Sequence, residues 1–279
     1  MTFDARWRAI QRETQLAASM IARGVTALGS ANHSVPGLYS QALFSLSIGF
    51  ERAGKLVYIA DHAIQYRGAF PTNDDLRAIG HDIAVLLPKC ETIGGRVDPT
   101  RAFADKPNTP IHNGIIRTLS AFAKSSRYYN LNLLAGDSRS QVDPIAQWWH
   151  EVGEPILAKH YTQRQRDRNE SEANALQAAL GTTVAVFHGD EAGTPINTLG
   201  EIVLRQGETK VVQKYGQLYV LQLARWFGSL IDSLSKSGAY DHRIHPLLGL
   251  DDAFDCFINQ DAYLKSRRTW SIYTGFPGT

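Results

Sequence analysis

Apolar residues along this chain recur at three- and four-residue steps, the period of a buried helix face. Trp7, Ile10, Thr14, Ala17 and Ile21 set that step over residues 4–28. Leu43, Leu46, Phe50, Ala53 and Val57 repeat it over 38–66. Ser45, Gly49 and Ala53 add a stripe of small residues, which predicts close approach of another helix. Leu76, Ile79, Ile83 and Leu86 give a third apolar stripe. The capping-box pattern Thr72-Asn73-Asp74-Asp75 opens it, and Pro88 predicts its end. Residues 89–112 carry Gly94, Gly95, Pro99, Pro107 and Pro110 and read as a long loop. Further helices are predicted over 113–131, after the Asp143-Pro144 cap, and over 171–180, 210–234 and 251–268. Thr182–Phe187 alternates weakly and reads as a short strand or an extended linker. The expectation is an all-α fold of about eight helices.

Composition narrows the partners rather than the fold. The two cysteines, Cys90 and Cys256, are too few for a disulfide framework and point to a reducing cytosol, hence a cytoplasmic protein. The N-terminal residues lack the basic start and apolar run of a signal peptide, and no apolar stretch is long enough to span a membrane. A net charge of +2 selects no partner class, so a nucleic-acid surface has to be a local patch. No cofactor is implied, because no glycine-rich phosphate loop follows a strand.

Arg77 and His81 carry the first candidate chemistry. On one continuous helix, four residues apart, they share a face beside the buried stripe. A fixed cation next to a titratable imidazole can hold a phosphate and move a proton. A surface Arg beside a half-buried His satisfies the same spacing.

The run Gly49-Phe50-Glu51-Arg52-Ala53-Gly54-Lys55-Leu56, the turn Gly68-Ala69-Phe70-Pro71, and then Leu76-Arg77 through Gly80-His81-Asp82-Ile83 resemble the HEPN superfamily of helical-bundle proteins. The resemblance covers residues 38–90 and extends weakly through Ser126-Arg127-Tyr128-Tyr129-Asn130. It implies a HEPN-like bundle over 1–158, with additional C-terminal helices over 159–279, either as a second region or as part of one continuous domain. Active members are metal-independent ribonucleases that pair two protomers and share an Arg and a His. The resemblance therefore implies that Arg77 holds the scissile phosphate and His81 acts as general acid or base, with Glu51, Lys55 and Asp82 in support. It also implies RNA or a nucleotide as ligand, a homodimer, a regulatory protein partner, and a role in prokaryotic defence or stress. Here three residues separate Arg77 from His81, Ala78 follows the Arg, and Ile83 stands where members controlled by adenylylation carry Tyr. A non-catalytic dimeric scaffold and a nucleotide sensor fit the same residues.

Five other groupings bear on function. Glu51 and Lys55 are an i,i+4 pair, either a surface ion pair or the border of the Arg77/His81 site. Arg127 and Tyr128 offer a cation and a stacking face to RNA, or are an exposed Arg beside a core tyrosine. The run Lys159 to Arg168, with Arg164 and Arg166, is the best basic patch; it is either a phosphate-tracking segment or a solvated helix face. His242 and His245 lack a third and fourth ligand nearby, so no metal site is expected. Trp148 and Trp149 read as core or interface anchors.

Overall fold

The computed structural model describes residues 4–137, 142–180 and 186–272, and these form a helical bundle. Helix α1, Ala5–Leu28, starts where the Asp4 carboxylate accepts the Trp7 N–H at 2.7 Å. Helix α2, Gly37–Gln65, packs along it. The small-residue stripe makes that contact: a Cβ at Gly49 would lie 2.7 Å from Ile21 Cγ1 and 3.1 Å from the Ala17 carbonyl oxygen.

The predicted motif helix is two helices. Helix α3, Asn73–Ile79, opens on the expected capping box between Thr72 and Asp75. It stops at Gly80, whose φ of +73° is a left-handed conformation that suits glycine. Asp82 then caps α4, Ile83–Val97, by accepting the Ala84 N–H at 3.0 Å. The expectation that Pro88 ends this helix is corrected: α4 runs through it. Burial of Leu86, Leu87, Cys90 and Ile93 carries the stripe past the missing N–H. Residues 89–97 are thus helix, and the loop is 98–109. Arg101 holds that loop by donating to the carbonyls of Gly94 and Asp98 at 2.8 and 2.7 Å.

Helix α5, Pro110–Lys124, is followed by a 3-10 turn and a short α6, Tyr129–Leu134. The Asp143 cap leads into α7, Pro144–Trp148, then a π-turn and α8, Glu154–His160. Trp148 and Trp149 are buried in the core. Helix α9, Gln163–Leu180, begins eight residues earlier than expected. A two-residue hairpin pairs β1, His188–Gly189, with β2, Pro195–Ile196. The stretch Thr182–Phe187 lies outside the described residues, apart from Val186 and Phe187, which join no strand.

Helix α10, Leu199–Lys236, is the spine of the fold and opens on a capping box between Thr198 and Glu201. It touches α1, α2, α5, α8 and α9, so one apolar core runs through both halves of the chain. The helix expected over 251–268 is corrected to a 3-10 turn at Asp255–Phe257 and a short α11, Asp261–Ser266. Arg205 clamps the hairpin to α10 by pairing with Asp190, Glu191 and Glu208 while its guanidinium lies 3.5 Å over the Trp149 ring. Among the described residues, no helix is long and apolar enough to cross a membrane.

Candidate nucleic-acid interface

The break at Gly80 separates the two residues the sequence pairs. Arg77 sits on the last turn of α3, with its side chain 74% exposed and 3.5 Å from Asp74. His81 lies on the connection to α4. Its Nδ1 donates to Glu51 Oε1 at 2.8 Å, and Lys55 Nζ donates to the same oxygen at 2.7 Å. Asp82 pairs with Lys124. Burial pushes the Asp82 carboxyl up, but bonds from Lys124, the Ala84 N–H and Ser120 outweigh it and hold it below the usual carboxylate range. Glu51, His81, Asp82 and Lys124 line a cleft of about 460 Å³ together with Phe44 and Arg127, and Arg77 is not on its lining. Arg127, rather than Arg77, is the arginine on the lining of this cleft, and its guanidinium lies 5.0 Å over the exposed Tyr128 ring. The cleft thus holds a His–carboxylate pair with cations at its rim.

The larger basic surface is at the other end of the basic run. Lys159 and His160 close α8, and Thr162 and Gln165 bond to each other across the start of α9. Asn169 on α9 packs against Gly207 on α10 and donates to the Tyr161 hydroxyl at 2.6 Å. That contact sets α9 beside α10 and leaves a groove between them, open toward α11. The groove consists of two adjoining cavities of about 650 and 620 Å³ that share His160, Tyr215 and Lys265.

Charge is uneven in this groove. Lys159, Lys210, Lys214, Lys265 and Arg268 line it, and among the described residues none has a carboxylate within ion-pair distance. The acids on the lining are Glu172, Asp105 and Asp261. Arg168 pairs with Glu172 at 2.8 Å and Arg225 with Asp261 at 2.9 Å. Between the two cavities the His160 ring stacks on Tyr215, with centroids 3.7 Å apart and planes 5° apart. The Tyr219 hydroxyl lies 2.9 Å from His160 Nε2 and fixes the imidazole. Burial, then Lys159 and Lys265, pull the His160 pKa below its ordinary value.

Beneath the second cavity a directed chain of hydrogen bonds ties α5 to α10 and α11. The Thr109 hydroxyl donates to His112 Nδ1 at 2.7 Å, and His112 Nε2 donates to Gln222 Oε1 at 2.9 Å. Gln222 Nε2 in turn donates to Asp261 at 2.8 Å. Burial pushes His112 down to about 4, so the ring is neutral at pH 7.

Of the expected RNA-contacting residues, Lys159 and Arg168 line the groove. Arg166 folds over the Tyr161 ring, 4.4 Å from its centroid, and Arg164 is exposed outside the lining. Arg127 and Tyr128 belong to the His81 cleft region. Sequence reasoning missed Lys210, Lys214 and Tyr215 on α10, and Lys265, Arg267 and Arg268 after it. The signals present were the i,i+4 lysine pair next to a tyrosine and the run Lys265-Ser266-Arg267-Arg268. No protein-family model, no curated protein and no solved structure matches this chain.

Proposed function

We propose that this helical protein binds RNA along the groove between α8, α9, α10 and α11. The observation that carries the reading is the coincidence of five unpaired cations with a stacked aromatic pair in one groove. Cations without carboxylate partners are free to neutralise phosphates, and ring faces accept bases of any sequence. Binding of a fluorescein-labelled RNA, read by anisotropy, tests it. Lys210→Glu combined with Lys265→Glu should weaken binding at least tenfold, since both side chains are exposed and the fold does not depend on them. Unchanged affinity in that variant contradicts the reading.

A second reading, metal-independent RNA cleavage in the other cleft, is favoured by the 2.8 Å contact between His81 and Glu51 with Lys124 and Arg127 on the same lining. His81 is the group that moves a proton in that reading; Lys55, which shares the Glu51 oxygen with it, and Arg127 on the cleft lining are the nearby cations. Pairing of two copies, a regulatory partner and a defence or stress role come from the HEPN resemblance alone, and cytoplasmic residence from the two cysteines that are too few for a disulfide framework.

A further inference from the structure

We infer that the groove selects single-stranded RNA and holds one base of the strand against the stacked rings of His160 and Tyr215. This rests on the RNA-binding reading above and adds the form of RNA and the point of contact.

Three observations carry it. Both rings line both cavities, so the stack stands at the junction of the groove rather than in the core. Each cavity, at about 650 and 620 Å³, has the size of a small-molecule site and admits a nucleotide. A duplex keeps its base faces inside the helix and offers none to a ring at the floor of a cleft, whereas an unpaired base is free to stack. The platform is also fixed in advance. Tyr219 bonds to His160 at 2.9 Å, His112 packs edge-on against Tyr219 with centroids 4.9 Å apart, and Lys159 lies 5.5 Å over the Tyr219 ring. Rings that are already ordered lose little freedom when a base settles on them.

The cations are placed to follow a strand past that point. Lys210 and Lys214 line the first cavity, Lys159 the second, and Lys265 both. A chain of phosphates running from one cavity to the other meets a cation on each side of the stack. An acidic peptide satisfies the cations but leaves the aromatic pair without a partner.

The test compares a short labelled RNA strand with the same strand annealed to its complement, on the full chain. The single strand is expected to bind at least about tenfold more tightly. Tyr215→Ala should weaken single-strand binding by about five- to 150-fold, the range for one stacked base, and leave duplex binding unchanged. Tyr215→Phe should restore it. Should Tyr215→Ala unfold, wild-type protein with 2-aminopurine placed along the strand gives the same information. Stacking quenches the fluorescent base that meets the platform, and the absence of quenching at every position overturns the inference. Equal affinity for strand and duplex with no effect of Tyr215→Ala also overturns it, while leaving the RNA-binding reading in place. No binding of either RNA at low salt removes both. Tighter binding of polyglutamate than of the single strand at matched charge concentration overturns it in favour of an acidic polypeptide.

Discussion

His160 lies flat on Tyr215, and burial, then Lys159 and Lys265, hold its pKa below the ordinary histidine value. A phosphate bound in the groove adds negative charge near the ring and opposes that depression. The complex therefore takes up a proton that the free protein lacks. RNA affinity should rise as pH falls below about 6.5, the ordinary histidine pKa, toward the depressed value of the free protein. The other charged or titratable groups next to the ring are Lys159, Lys265, Tyr215 and Tyr219, and His112 beyond Tyr219 is depressed to about 4. His160→Phe keeps a ring in place and should flatten the pH profile of binding. An equally steep profile in that variant contradicts the assignment.

The α1–α2 contact predicts an unusual alanine effect. Alanine normally favours a helix interior over glycine by about 1 kcal/mol. At position 49 the added methyl meets Ile21 Cγ1 at 2.7 Å, the Ile21 nitrogen at 3.0 Å and the Ala17 carbonyl at 3.1 Å. Two of those atoms are backbone, so the helices must separate. Gly49→Ala should destabilise the fold by about 1–3 kcal/mol in urea denaturation, against the propensity trend. A stabilised variant shows that α1 and α2 do not approach so closely.

Buried His112 predicts acid sensitivity. Its folded pKa of about 4 lies below the unfolded value of 6.5, so between those values the unfolded chain binds more protons. Its contribution is fully present above about pH 6.5 and is lost as pH falls toward 4, by up to about 1.4 kcal/mol per pH unit. Asp251 and Asp255, whose pKa values burial raises, act in the opposite sense, so the informative quantity is a difference. Stability of wild type minus that of His112→Gln should decline over this window. A flat difference contradicts a buried neutral imidazole.

His81 separates the cleavage reading from its alternatives. Its side chain is 76% exposed and contacts Glu51, so His81→Ala should change stability by less than about 0.5 kcal/mol. In EDTA, wild type should cut RNA and leave cyclic phosphate ends, and the variant should not. Equal cutting by both proteins removes His81 from the chemistry, and no cutting by either leaves groove binding as the supported activity.

The long helices were legible because their apolar residues keep one period and bury one face, as in Leu43, Leu46, Phe50 and Val57. The same signal misled at Gly80, because Ile79 and Ile83 stay in phase across the break while the backbone turns through a left-handed residue. It misled again at Pro88, where continued burial of Cys90 and Ile93 outweighs one lost hydrogen bond. Of the His81 cleft, Glu51, His81 and Asp82 were legible; Arg127, read from the sequence as an RNA contact apart from this site, lines it, whereas Arg77 at the end of α3 does not. The groove was half legible. Lys159 and Arg168 are in one run, whereas Lys210, Tyr215, Lys265 and Arg268 reach it only through the packing of α9 and α11 on α10, a tertiary fact that no local pattern carries.

The most direct test of RNA binding in this groove is the salt dependence of the affinity. Displaced counterions lower the logarithm of affinity linearly with the logarithm of salt, by about 0.7 per neutralised phosphate on a single strand. The five unpaired cations predict a slope of up to about −3.5, and Lys210→Ala with Lys265→Ala should flatten it by about 1.4. A slope near zero, or one that the double variant leaves unchanged, contradicts the account.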